Sequence, residues 1–169
     1  MPRGLPVSVI VTAMDDDLLE LALRAGTSPR RALDYLDAYE RAEEATVVTA
    51  LARSRALRAL GRLDEARALL AGFGELAERL PAADRLEADA AERIEQGMVA
   101  FLFGELPAAG EFLMHGLETR RDDEAESALA IISFLLGRLT PAREHLARAG
   151  SGAPATLARI LIELETGVA

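Results

Sequence analysis

The sequence predicts an all-α protein of about nine helices, and three observations support this. Half of the 169 residues are hydrophobic and only 4% are aromatic, while the strong helix formers Ala, Leu, Glu and Arg dominate the composition. Apolar residues recur three and four positions apart, as in Leu69, Phe73, Leu76 and Leu80. Gly and Pro divide the chain into short segments, which we expect to pack as antiparallel helices.

The helix boundaries follow from these punctuating residues. Gly26-Thr27-Ser28-Pro29 indicates a helix end, then an N-cap serine and a proline at the first helical position. Residues 104–107 and 137–141 repeat this pattern, and Asp84, Asp122 and residues 151–154 mark other boundaries. The predicted helices span residues 15–25, 29–43, 46–60, 64–80, 83–103, 107–119, 122–136, 141–149 and 154–165.

One turn sequence occurs three times. Its pattern is an apolar residue, Gly, a charged residue, Leu, two helix-starting residues and Ala, as in Leu60-Gly61-Arg62-Leu63-Asp64-Glu65-Ala66. The turn glycines at positions 26, 61, 104 and 137 are separated by 35, 43 and 33 residues. Glycine can end a helix in the left-handed conformation, and alanine lets the second helix approach the first. We therefore predict buried alanines at three positions: Ala66, Ala109 and Ala142.

These turns resemble those of the tetratricopeptide-repeat family, whose helix–turn–helix unit has about 34 residues. The segment at residues 61–70 is the best match, and Gly97 stands where the family's first helix carries a small residue. The Trp, Leu-Gly and Tyr positions are mostly absent, and the middle unit is about nine residues too long. The resemblance implies four hairpins over about residues 15–149, forming a short right-handed solenoid. An ordinary helical bundle with similar turns is the alternative.

The domain organisation follows from the same elements. Residues 1–13 are predicted to form an N-terminal arm or tail. Residues 14–169 are predicted to form a single helical repeat domain of about four hairpins, closed by a C-terminal capping helix.

The residue types argue against an enzyme. The chain has no Cys, so thiol catalysis and thiolate metal sites are excluded. His115 and His145 are not at metal-ligand spacing, and the acidic runs at 15–17 and 122–124 open helices, where they complement the helix dipole. Gly72-Phe73-Gly74 lacks the lysine of a phosphate-binding loop. We predict no catalytic, cofactor-binding or metal site.

Charge and hydropathy limit the partners. The formal net charge of -9 argues against a nucleic-acid partner. One stretch, residues 46–71, is locally basic, but its turn sequence recurs elsewhere without the basic residues, which favours a structural repeat over a recognition helix. The apolar runs are too short for a membrane span or a signal peptide, so we expect a cytoplasmic protein.

The function predicted from this architecture is a protein–protein interaction module, a scaffold or adaptor that binds a partner protein or peptide. The resemblance implies that the first helix of each hairpin lines a concave binding face. Counting back from the turn glycines places eight residues on that face: Leu51, Arg55, Arg58, Ile94, Met98, Phe101, Ile131 and Phe134. The alternative is that Met98, Phe101, Ile131 and Phe134 are core residues, or are covered by the last helix or by a second copy.

Two segments, residues 129–136 and 157–164, are apolar on nearly every helical face. A helix of this kind must be covered on all sides. Either both segments lie in the interior, or one exposes a patch that needs a partner. The second alternative predicts self-association, with a symmetric dimer as the commonest outcome. The alternative function is a homo-oligomeric domain that senses a ligand or regulates transcription.

Overall fold

The computed structural model describes residues 28–167, without the side chains of residues 165 and 166. The described residues form nine helices and no strand, and 77% of them are helical. The all-α prediction is therefore confirmed. The predicted arm at residues 1–13 and the predicted helix at residues 15–25 lie outside the described residues.

The described chain divides into two compact units, residues 28–79 and 80–167. The first contains α1 (Pro29–Tyr39), α2 (Val47–Ala59), α3 (Leu63–Ala71) and α4 (Phe73–Ala77). The second contains α5 (Ala82–Leu102), α6 (Leu106–Leu117), α7 (Asp123–Leu135), α8 (Leu139–Arg148) and α9 (Ala153–Thr166). The prediction of one continuous domain stays a prediction.

Two predicted helices differ from the structure by more than two residues. The helix predicted over residues 64–80 is divided into α3 and α4 at Gly72, which caps one and precedes the other. Glycine is the weakest helix former after proline, so a break at this position is physically reasonable. The helix predicted over residues 29–43 ends at Tyr39, and a turn follows it.

The three repeated turns have the same backbone geometry. Gly61, Gly104 and Gly137 have φ values of 72°, 79° and 74°. In the first turn, the N–H of Gly61 donates to the carbonyl of Arg58, and the N–H of Arg62 donates to that of Leu57. The other two turns repeat both hydrogen bonds, which together form a Schellman motif. Left-handed φ is accessible to glycine without a steric penalty, so the turn sequence determines this geometry.

The second helix of each hairpin packs through the alanine five residues after the turn glycine. Ala66, Ala109 and Ala142 are each 0% exposed, so the predicted burial is confirmed. Each alanine N–H also donates the first backbone bond of its helix, to the carbonyl of the residue that follows the glycine. The repeated sequence therefore determines both the turn and the close approach of the two helices.

Helix starts elsewhere are set by local caps. Thr46 and Thr49 form a capping box before α2, in which each side-chain oxygen accepts from the other residue's N–H. Asp122 accepts from the N–H of Ala125 at 2.9 Å and caps α7. These bonds satisfy N–H groups that the helix itself leaves without partners.

The core of the second unit is built from two clusters. The first joins α5, α6 and α7: Ile94, Met98, Ala100, Ala109, Leu113, Ala125, Ala128, Leu129 and Ile132. The second joins α7, α8 and α9 through Ala130, Ala142, Ala158 and Ile162. Helix α7 contributes to both clusters, which explains why its sequence is apolar on nearly every face.

Candidate interaction surfaces

The predicted binding residues of the first unit lie on α2. Leu51, Arg55 and Arg58 are half-buried and share one face of this helix, because they follow one another at spacings of four and three residues. Part of each side chain remains accessible to solvent.

The structure places the predicted binding residues of the second unit differently. Ile94 and Met98 are only 4% and 6% exposed and belong to the first core cluster. Phe101 is partly buried and packs against that cluster. Ile94 and Met98 are therefore core residues. Their helical spacing is the same in a core as in a groove, which is why the sequence could not separate the two.

Ile131 and Phe134 also pack inward. Both are partly buried against the second cluster, which includes Ala158 and Ile162 of α9. This is the arrangement anticipated by the alternative in which the last helix covers them. The eight predicted residues thus lie in two different units: three are half-buried on α2, and five lie in or against the core of the second unit.

The first unit contains a pocket of about 890 Å³ that the sequence did not predict, lined by residues of α1, α2 and α3 and of the turn between the last two. Arg53 lies in its wall and binds Asp37 at 2.8 Å and Glu40 at 2.7 Å. Burial lowers the pKa of Arg53, but the hydrogen bonds with these two carboxylates outweigh it and raise the pKa above its ordinary value. This guanidinium is thus committed to joining α2 to α1.

A second arginine of the pocket wall is also paired. Arg62 donates from Nε and Nη2 to both carboxylate oxygens of Glu65, at 2.7 and 2.6 Å. This bidentate bond lowers the pKa of Glu65 and raises that of Arg62. The locally basic stretch seen in the sequence therefore includes two arginines whose charges are balanced by carboxylates of the same chain.

The second unit holds a buried ionic cluster between α7 and α8. Glu126 is 8% exposed, and its two carboxylate oxygens lie 2.7 Å from Nδ1 of His145 and 3.0 Å from Nε of Arg148. Nη2 of Arg148 is also 2.8 Å from Nδ1 of His145. The three side chains bridge one helix to the next, so this histidine has a structural partner on each side.

A small pocket of about 220 Å³ lies beside α5 and α6 and includes Glu92, Asp89 and His115. Burial raises the pKa of the Glu92 carboxyl, Arg93 lowers it and Asp89 raises it, with a net shift upward. Oε1 of Glu92 accepts from Nε2 of Gln96 at 2.6 Å. Over residues 28–167, no three His, Asp or Glu side chains are placed to hold a metal ion.

The largest accumulation of exposed apolar side chains in the second unit is on α9 and on the α7–α8 turn. On α9, four side chains spaced at i, i+3, i+4 and i+7 are 38–76% exposed: Leu157, Ile160, Leu161 and Leu164. We call them the α9 stripe. Leu135, Leu136 and Leu139, which we call the turn leucines, are 42–58% exposed. The sequence analysis identified residues 129–136 and 157–164 as apolar on nearly every face, but it did not include Leu139 and did not predict which side chains face outward.

No described helix is both long and apolar enough to cross a membrane. Comparison with known proteins returned no match: no family model, no curated protein and no solved structure matches the chain.

Proposed function

We propose that this protein is a non-enzymatic interaction module built from tetratricopeptide-like helical hairpins, and that it binds a partner protein or peptide. The observation that carries the proposal is the threefold recurrence of one turn. Gly61, Gly104 and Gly137 share their φ values and hydrogen bonds, and a fully buried alanine follows each of them. Stacked hairpins of this kind expose extended helical surfaces, and repeat proteins use such surfaces to bind partners.

The proposed binding face is that of α2. Leu51 supplies apolar contact, and the half-buried Arg55 and Arg58 supply positive charge that attracts a carboxylate. We therefore propose a partner segment that combines apolar side chains with an acidic side chain or a C-terminal carboxylate. Peptide segments of this kind are commonly recognised by a helical groove through apolar anchors and a few charged contacts.

Several described side chains of types common in catalysis are engaged in bonds within the chain, which supports the non-enzymatic proposal. His145 and Arg148 hold Glu126 between α7 and α8. Glu92 accepts from Gln96 on its own helix. A general base or nucleophile needs a substrate within hydrogen-bonding reach, and these groups bond to one another instead.

A second candidate function is ligand sensing, with or without a role in transcription. The 890 Å³ pocket in the first unit favours it, because small-molecule sites commonly have volumes of 300–1,000 Å³. Native mass spectrometry of protein purified from its own cells distinguishes the two functions. A bound small molecule of fixed mass favours sensing, and a bound polypeptide favours the interaction module.

Crosslinking in cells followed by mass spectrometry tests the binding face. We expect Arg55→Glu/Arg58→Glu to reduce recovery of the main partner at least about tenfold, because two attractive charges become repulsive. Arg31→Glu/Arg143→Glu is the matched control, since both arginines are exposed and lie outside α2. Arg55→Gln/Arg58→Gln, which introduces no negative charge, should reduce recovery less. Equal recovery with all three variants would contradict the proposed face.

A further inference from the structure

Helix α9 is apolar on two faces, and the unit covers only one of them. Ala155, Ala158 and Ile162 are buried, and the last two belong to the cluster that joins α9 to α7 and α8. The α9 stripe lies beside this buried face. At about 100° per residue, the two sets together occupy more than half of the helix circumference.

We propose that the α9 stripe is the interface of a symmetric homodimer, in which it packs against the α9 stripe of a second copy. The spacing i, i+3, i+4, i+7 places Leu157 and Leu164 one heptad apart, with Ile160 and Leu161 between them. Side chains at this spacing interdigitate with an identical row on a facing helix. A twofold axis then satisfies both copies with a single patch.

The chemistry of the stripe favours a second copy over a charged or polar partner. Arg159 and Glu163 are the charged side chains described on α9, and they lie on the opposite side of the helix from Leu157 and Leu161. The stripe itself offers no charge and no side-chain hydrogen bond. Homodimer interfaces are more apolar than those of transient complexes, which retain polar contacts at the rim.

The exposed area is adequate for a dimer of moderate affinity. Covering the α9 stripe and the turn leucines would remove on the order of 500 Å² of apolar surface from each copy. A stable interface buries about 800 Å² per partner including its polar rim, so this apolar area would form the larger part. In the proposed dimer the turn leucines extend the α9 stripe, because α9 packs against α7 and α8, the two helices that this turn joins. We expect a dissociation constant on the order of 10 µM.

The net charge gives this dimer a characteristic salt dependence. Each copy carries a formal charge of -9, so two copies repel each other at low ionic strength. Salt screens this repulsion and leaves the apolar contact intact. We therefore expect the dissociation constant to fall several-fold between 50 and 500 mM NaCl. A rise would indicate a contact held by ion pairs and would contradict the proposal.

Sedimentation equilibrium of the full chain, with a matched pair of variants, tests the interface. Leu157→Glu/Leu164→Glu should weaken dimerisation at least about 100-fold and leave the thermal melt of the monomer unchanged, because both side chains are exposed in the unit. Leu86→Glu/Leu102→Glu is the control, since it makes the same chemical change at exposed leucines of α5. A wild-type chain that is strictly monomeric at 200 µM, or an equal loss in the control, would overturn the proposal.

The lack of Cys in the chain allows an independent test. Leu161 lies near the middle of the stripe, so in a twofold-symmetric pair it comes close to its own counterpart. Leu161→Cys should form an intermolecular disulfide under mild oxidation, whereas Leu86→Cys should not. Equal crosslinking of both variants would indicate random collision and would count against the interface. Because the stripe and the α2 face are different surfaces, this result is independent of the partner-capture experiment.

Discussion

Helices α6 and α9 are both rich in apolar residues, but they pack against their surroundings in different ways. On α6, Gly116 faces α5 so closely that an added Cβ would lie 2.6 Å from Cγ1 of Ile94 and 2.8 Å from the carbonyl oxygen of Ala90. Gly97 of α5 repeats this arrangement against Leu113 of α6. On α9, the four larger side chains of the α9 stripe are exposed, whereas Ile162 is buried. Small residues therefore occur where a neighbouring helix packs closely, and large exposed residues form a face on which no other described helix of the unit packs.

This contrast explains why hydropathy alone gave the wrong placement for two predicted binding residues. Ile94 and Met98 looked like a binding stripe because they are large and apolar on a first helix, but the glycines opposite and beside them allow α6 to cover them. A glycine in the middle of a predicted helix is therefore informative, since it lowers helix propensity and is retained where another backbone comes close.

The largest expected effect is at Gly116, and it tests the close contact between α5 and α6. Gly116→Ala should destabilise the protein by about 3 kcal/mol, because the added methyl group meets a backbone carbonyl and the backbone N of Ile94 at 3.1 Å. Neither atom can move without shifting α5 itself. Urea denaturation followed by circular dichroism measures the change. If the free energy of unfolding falls by less than about 1 kcal/mol, α5 and α6 can move apart with little loss of stability.

A second glycine of α6, Gly110, has room for a side chain. Gly110 has only Cγ2 of Ile132 near an added Cβ, at 3.9 Å, which is ordinary van der Waals contact. Gly110→Ala should therefore stabilise the protein by about 0.5–1 kcal/mol, through better helix propensity and a less flexible unfolded chain. The same denaturation experiment measures both variants. Effects of equal sign at positions 110 and 116 would contradict the assignment of close contact to Gly116.

Much of the fold was predictable because its signals are local. The Schellman turns at Gly61, Gly104 and Gly137 and the buried alanines after them depend on a few adjacent residues. The break at Gly72 was less predictable, because glycine is tolerated within many helices and Phe73 continues the apolar period. The local sequence predicts turns well, whereas the continuity of a helix also depends on its packing against other helices.

The candidate surfaces were harder to predict, since exposure is a property of the assembled unit. The sequence identified residues 157–164 as apolar on nearly every face, but it could not assign Ile162 to the core and Leu161 to the surface. The pairing of Arg53 with Asp37 and Glu40 was also missed, because it joins residues 16 and 13 positions apart on two helices. Such contacts follow from how α1 and α2 pack and have no signature in either helix alone.

The smallest expected effect concerns Glu92 of α5, which is partly buried in the pocket beside α5 and α6. Because burial raises its pKa above the ordinary value of 4.5, the folded protein binds this proton more tightly than the unfolded chain does. Glu92 therefore becomes destabilising as the pH rises from the unfolded pKa through the folded one, and it stays so at neutral pH. Protonation at lower pH relieves the penalty.

Glu92→Gln should consequently stabilise the protein at pH 7 by less than about 1 kcal/mol, and the difference should disappear below about pH 4. The glutamine carbonyl can still accept the hydrogen bond from Gln96, so the local geometry is retained. Glu111→Gln, at an exposed position of α6, is the charge-matched control. Thermal melts of the three proteins from pH 3.5 to 7.5 measure the effect. If Glu92→Gln and Glu111→Gln shift the melts equally at every pH, the gain comes from net charge, and burial at the rim of the α5–α6 pair does not affect stability.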